Sequence, residues 1–231
     1  MNHFKLLYGF FAAVIVTTVV FSGCDTSKSD KKIRELSDIQ SQEAAKNQVT
    51  AENQYLETKA RTMESDLEKR QRFYQALAGT YEGAVRINQS DFKIRLTLSP
   101  SLPRYVPNDR IRTVEEVASD LNNLYLNVQI VQWNPATNFG SVGCLVTNVR
   151  PDIVKGRVNI VSEGCKSLYN FQIADGLSEV PDAPDTSDIQ AARLAEAITD
   201  GKIESVIQIS GRMQPTTNAN VFMFKATRVQ D

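Results

Sequence analysis

Phe92-Lys93-Ile94-Arg95-Leu96-Thr97-Leu98 is the stretch that decides the fold. Apolar and polar residues alternate without a break, the pattern of a strand with one face in a core and one in water. Upstream, Tyr81, Gly83, Val85 and Ile87 alternate with Glu82, Ala84 and Arg86 in the same way. Asn88-Gln89-Ser90-Asp91 between them has turn composition, so the two strands form a hairpin. Downstream, Ser99 to Arg110 holds Pro100, Pro103 and Pro107 and reads as a loop. Thr113-Val114-Glu115-Glu116 matches a capping box and opens a short helix to about Asn122.

Further strands are expected over 124–133, 139–149, 157–162, 167–174, 204–213 and 221–229. Between the third and second of these from the end of the chain lies a loop over 175–187. A helix over 188–199 follows, capped by Ser187 and stopped by Gly201. The fold class is therefore mainly β, with an N-terminal long α-helix. About eight antiparallel strands form a barrel, with two short helical insertions and a β-sandwich as the alternative architecture.

From Lys31 to Leu77 there is no Gly or Pro, and Glu, Lys, Gln, Ala and Arg dominate. These are good helix formers. Placing Val49, Leu56, Met63 and Leu77 at heptad position d puts Ile39, Ala60, Leu67 and Tyr74 at a. Lys46 and Asn53 then fall at a, and Gln42 and Arg70 at d, which breaks the seam. Two readings stand: a coiled-coil stalk that self-associates, or a single solvated helix held by pairs such as Glu57 with Arg61. Either would span roughly 70 Å. Ala78-Gly79 ends it, with Gly at the C-cap.

The N-terminus carries a different signal. Lys5 precedes the apolar run Leu6–Val20, and Phe21-Ser22-Gly23-Cys24 follows. This is the three-part pattern of a secretory signal, too short to be a good transmembrane helix. Val20 to Cys24 resembles the lipobox of bacterial lipoproteins, with Phe21 where an aliphatic residue is usual. The resemblance covers residues 1–25 and implies cleavage before Cys24 and lipidation of its thiol. It also implies a place in the bacterial cell envelope, with the domain facing the periplasm or outside. Asp25 is similar to the inner-membrane retention signal of enteric bacteria, but the choice of membrane stays open. The organisation that follows is signal peptide 1–23, lipidated Cys and linker 24–30, long helix 31–77 and β-barrel-like domain 78–231.

Charge is balanced, with 26 basic and 27 acidic residues in 231, and the pI is near 6.0. A nucleic-acid binder would show a basic stripe, and none is visible. The single histidine is His3, inside the signal. Histidine-based triads and dyads, and most zinc sites, are thereby excluded from the mature chain. No catalytic residue, no cofactor and no metal site is expected, so the chain is read as not an enzyme. The acidic run Asp175, Glu179, Asp182, Asp185 and Asp188 matches no EF-hand and reads as a solvated loop.

Two pairs remain. Phe222, Phe224, Ala226 and Arg228 share one face of the last strand, and an arginine on an apolar face needs a partner. Gly79-Thr80-Tyr81 opens the first strand. This arrangement resembles the lipocalin or calycin pattern, in which a Gly-x-Trp on the first strand stacks against an arginine of the last. Here Tyr81 replaces the Trp. The resemblance implies a closed barrel end built from Tyr81 and Arg228. Cys144 and Cys165 come opposite each other if 139–149 and 157–165 pair across a turn centred between Val154 and Lys155. That register also pairs Val149 with Ile160. An oxidising compartment makes a disulfide the expected outcome.

Two function classes survive. One is an envelope lipoprotein acting as a structural or interaction module on a helical stalk. Its partners would be the membrane through the lipid anchor and a second copy, or another envelope protein. The other is a lipocalin-like carrier of a small apolar or lipid ligand, its mouth framed by the 113–122 helix and the 99–110 loop.

Overall fold

The computed structural model describes residues 26–87, 90–103, 111–133, 135, 142–161, 163–165, 167–174, 188–216 and 220–229. The chain divides into two compact units between Glu52 and Asn53. That boundary falls inside helix α1 (Thr26–Leu77), which is unbroken for 52 residues. In the first unit every helical residue from 29 to 52 is exposed, including Ile33, Leu36, Ile39 and Val49.

In the second unit α1 turns an apolar stripe inward. Leu67, Phe73, Tyr74, Ala76 and Leu77 belong to the domain core, and Met63 packs against it. The lower heptad positions are thus occupied by the chain's own β-domain, not by another helix. A period near 3.6 serves either partner equally well. The expected Glu57–Arg61 pair forms at 2.6 Å, on the surface, where such pairs contribute little.

Eight strands follow: β1 (Gly79–Ile87), β2 (Ser90–Ser101), β3 (Tyr125–Trp133), β4 (Val142–Val149), β5 (Arg157–Ile160), β6 (Ser167–Ala174), β7 (Gln208–Pro215) and β8 (Phe222–Arg228). Helix α2 (Val114–Asn123) joins β2 to β3, and α3 (Asp188–Thr199) lies between β6 and β7. All pairings are antiparallel, in the order β4-β3-β2-β1-β8-β7-β6-β5. The first and last strands are therefore central neighbours, and two four-stranded meanders grow outward from them. The sheet curls into a nearly closed barrel, not a sandwich.

The inward face supplies the core. Tyr81, Val85, Ile94, Leu96, Leu98, Leu126, Val128, Ile130, Val158 and Ile160 are all buried at alternating positions. Gly211 sits between Phe171 and Phe224 in the register. With no side chain between them, the two rings meet edge to face, centroids 6.4 Å apart.

Local signals were followed closely where local chemistry decides. The capping box of α2 has both arms: Glu116 N donates to Thr113 Oγ1 at 3.2 Å, and Thr113 N donates to Glu116 Oε2 at 2.8 Å. Tertiary contacts changed three expectations. Pro100 lies inside β2, paired with Leu126, because β1 has already ended at the Gly79–Leu98 pair and leaves that edge open. Residues 204–207 are not strand: Val206 N turns aside to donate to Ala76 O at 2.9 Å. A 3-10 turn, Glu163–Cys165, follows β5.

Candidate functional site

In an up-and-down barrel, β1 begins and β8 finishes at the same end. The C-terminus of α1, helix α2, the β4–β5 turn and helix α3 all gather there. The hairpins β1–β2, β3–β4, β5–β6 and β7–β8 lie at the other end. The 113–122 helix, expected to frame a mouth, lies at this same end. The β2–β3 connection lies at the end that α1 closes.

Three helix C-termini meet at this end, and each needs partners for its last carbonyls. None of the three helices has a basic residue in its own last turn. The cations come from elsewhere in the chain. Arg72 Nη1 donates to Thr199 O of α3 at 3.1 Å, and Arg150 Nη2 donates to Asn122 O of α2 at 3.1 Å. Arg228 Nη1 reaches Ala76 O of α1 at 3.5 Å. Each places positive charge on the negative end of a helix dipole.

Tyr81 and Arg228 stand opposite each other in the β1–β8 register. Tyr81 is fully buried, and its hydroxyl is 3.1 Å from Leu77 O and 3.0 Å from Val206 O, to which it donates. Burial pushes the phenol up to about 12, against the opposing pull of Arg228. In place of the expected stacking on the Tyr81 ring, the Arg228 guanidinium lies over Gly79. A Cβ there would be 2.9 Å from Arg228 Nε. Gly79 also has φ +140, a conformation that L side chains rarely adopt.

The seam of the barrel runs between β4 and β5. Among the described residues no ladder joins these two strands. Asp152 and Arg157 exchange backbone hydrogen bonds of 2.8 and 3.1 Å at the turn. Farther along, Cys144 and Cys165 are joined, sulfurs 2.13 Å apart and Cα atoms 5.0 Å apart. Both pairs obey the register expected from the sequence. Between them the ladder is not made, so Val149 and Ile160 are not partnered as expected. Asn148, beside Val149, has φ 60, which turns the backbone out of the extended path.

Toward the hairpin end, Gln132 of β3 reaches across to β6 and β7. Its Nε2 donates to Tyr169 Oη at 3.1 Å and contacts Met213 Sδ at 2.6 Å. The remaining sequence candidates contribute less. Asp188 is ion-paired with Arg157. Asp175, Glu179, Asp182 and Asp185 lie outside the described residues, as do Cys24 and the apolar run before it. Among the described residues no cluster of His, Cys, Asp or Glu has the makings of a metal site, and no helix is long and apolar enough to cross a membrane.

Of the arginines at the helix ends, Arg228 is marked in the sequence by its place on an apolar strand face, whereas Arg72 and Arg150 are not. The available signal was negative: three helices without a terminal cation of their own.

No protein-family model matches the chain, and neither a curated protein nor a solved structure is significantly similar to it.

Proposed function

We propose that this chain is a lipid-anchored protein of the bacterial cell envelope whose barrel is a non-catalytic structural or interaction module carried on α1. The anchor rests on the lipobox resemblance at Cys24. The observation that carries the module reading is how the barrel is filled. Phe73, Tyr74 and Leu77 of α1, Tyr81, Phe171 and Phe224 are all buried in one core, and Gln132 bridges to Tyr169 across it. A carrier needs a cavity of several hundred Å³. Side chains of this size at both levels of the barrel leave that space to the protein itself.

The membrane, through the lipid on Cys24, is one partner. The other is a second copy or another envelope protein, met by the exposed α1 residues up to Glu52 or by the domain surface. Nucleic acid is not a partner on this reading. The lipocalin-like carrier keeps one observation in its favour, the placement of Gly79, Tyr81 and Arg228 at the closed end.

The test has two arms. In cells, Cys24→Ser should leave the precursor uncut or release the protein from membranes; unchanged processing and fractionation would remove the anchor from the proposal. In native mass spectrometry the purified chain should fly without a bound small molecule. A co-purifying apolar molecule of constant mass would transfer the assignment to the carrier.

A further inference from the structure

A cleft of about 210 Å³ opens beside the closed end, lined by Asp66, Arg70 and Tyr74 of α1, by Leu121, Asn122 and Leu124 at the end of α2, and by Arg150 after β4. Its polar groups are oriented before any ligand arrives. Arg70 Nε donates to Asp66 Oδ2 at 2.8 Å, which fixes the guanidinium and, among the described residues, leaves both terminal nitrogens of its fork without a hydrogen bond. Arg150 spends one nitrogen on Asn122 O at 3.1 Å, which anchors it to α2 and leaves its other N–H groups available. Tyr74 is 1% exposed, so its ring is fixed in the core.

The Tyr74 phenol lies within the electrostatic reach of both arginines, yet burial outweighs them and raises its pKa. It therefore stays a neutral O–H donor through the physiological range. Donors thus come from two elements, α1 and the segment after β4. Arg70 and Arg150 outweigh the single carboxylate of Asp66 by one positive charge. Leu121 and Leu124 add an apolar wall. Several donors on separate elements suit a tetrahedral oxyanion, and guanidinium forks match phosphate geometry.

We propose that this cleft binds a small phosphate monoester, with the phosphate between Arg70, Arg150 and Tyr74 and an apolar substituent against Leu121 and Leu124. The proposal stands whether or not the module reading does. A soluble metabolite and a lipid headgroup share this phosphate chemistry.

The experiment is isothermal titration calorimetry on the full chain in neutral detergent. One arm uses inorganic phosphate and phenyl phosphate, and the other uses dihexanoyl phosphatidic acid. Saturable binding is expected, tighter for phenyl phosphate than for inorganic phosphate. Arg70→Gln and Arg150→Gln should each weaken it by about tenfold or more, since each removes charged hydrogen bonds. Tyr74→Phe should weaken it less. Arg61→Gln, on the same helix outside the cleft, should leave it unchanged. Arg70 holds no helix end, so its variant tests binding without disturbing a cap. Tighter binding in one arm identifies the source of the phosphate. Absence of saturable binding in both arms, or equal weakening by Arg61→Gln, overturns the site.

Discussion

Tyr81 and Arg228 are cross-strand partners on the first and last strands of the barrel, and the guanidinium of Arg228 covers the glycine two residues before Tyr81. The same arginine reaches the last carbonyls of α1, while the Tyr81 hydroxyl joins α1 to the segment before β7. Helix, first strand and last strand are thus locked at one point, and substitutions there should be felt together.

Gly79→Ala should destabilise the domain by about 1–3 kcal/mol, from backbone strain and from the clash with Arg228. Arg228→Ala in the same chain should recover only part of this, because the positive φ remains. A double-mutant cycle by urea unfolding reads the coupling. Strict additivity of the two substitutions would show that the guanidinium does not rest on Gly79.

The Tyr81 phenol titrates at about 12 in the fold against 10.0 for a free tyrosine. The folded state holds its proton more tightly, so the contribution of Tyr81 to stability is constant below about pH 10 and is lost as the pH rises toward about 12. The loss is on the order of 2–3 kcal/mol at the top of that window. Tyr81→Phe should lower stability at neutral pH by about 1–2 kcal/mol, through the lost hydroxyl bonds. It should also flatten the alkaline decline. A decline of equal steepness in both proteins would assign it to another group.

Reduction of the Cys144–Cys165 bond should cost about 2–4 kcal/mol. The cost should be local, because no ladder backs the bond. Hydrogen exchange is expected to rise first in β4 and β5, with β1 and β8 still protected. Uniform acceleration across all strands would mean that the seam is not the weak line.

Gly211→Ala should be among the most damaging single methyl additions in the chain. Its Cβ would stand 2.5 Å from Phe171 Cβ and 2.6 Å from Asn170 O. We expect a loss of about 3 kcal/mol or more. Gly143→Ala, whose nearest neighbour would be Ile130 O at 3.7 Å, should change stability by less than about 0.5 kcal/mol. Thermal unfolding of the two variants side by side checks the contrast.

What was legible in the sequence was what neighbouring residues decide. Thr113 and Glu116 cap α2 wherever α2 goes, and alternation places Ile94, Leu96 and Leu98 inside whatever the partner. The cysteine register was legible too, since a turn about Val154 and Lys155 fixes both Asp152 with Arg157 and Cys144 with Cys165. Features that depend on distant chain were hidden. Val206 leaves the strand path only because Ala76 O is there to accept its N–H. Pro100 is tolerated in β2 only because β1 has stopped short. The stripe through Leu67 and Tyr74 has the same period whether it meets a second helix or the barrel. Arg72 and Arg150 serve helices far from them in sequence, and nothing in their own surroundings marks them; Arg228 is marked by its apolar strand face, but its reach to Ala76 O is not.

The meeting of β1 and β8 at the centre of the sheet has a mechanical consequence. The chain enters β1 and leaves β8 at the same end of the barrel. A load applied between a tether before α1 and the residues after Arg228 would peel these antiparallel strands apart from that end. Their hydrogen bonds would break one after another instead of all together in shear. The first bond to carry the load is that from Val229 N to Thr80 O, followed by the pairs Tyr81 with Arg228, Glu82 with Thr227 and Gly83 with Ala226. Such a domain yields at low force when pulled through its termini, while the Cys144–Cys165 bond, on the far side of the barrel, carries none of the early load.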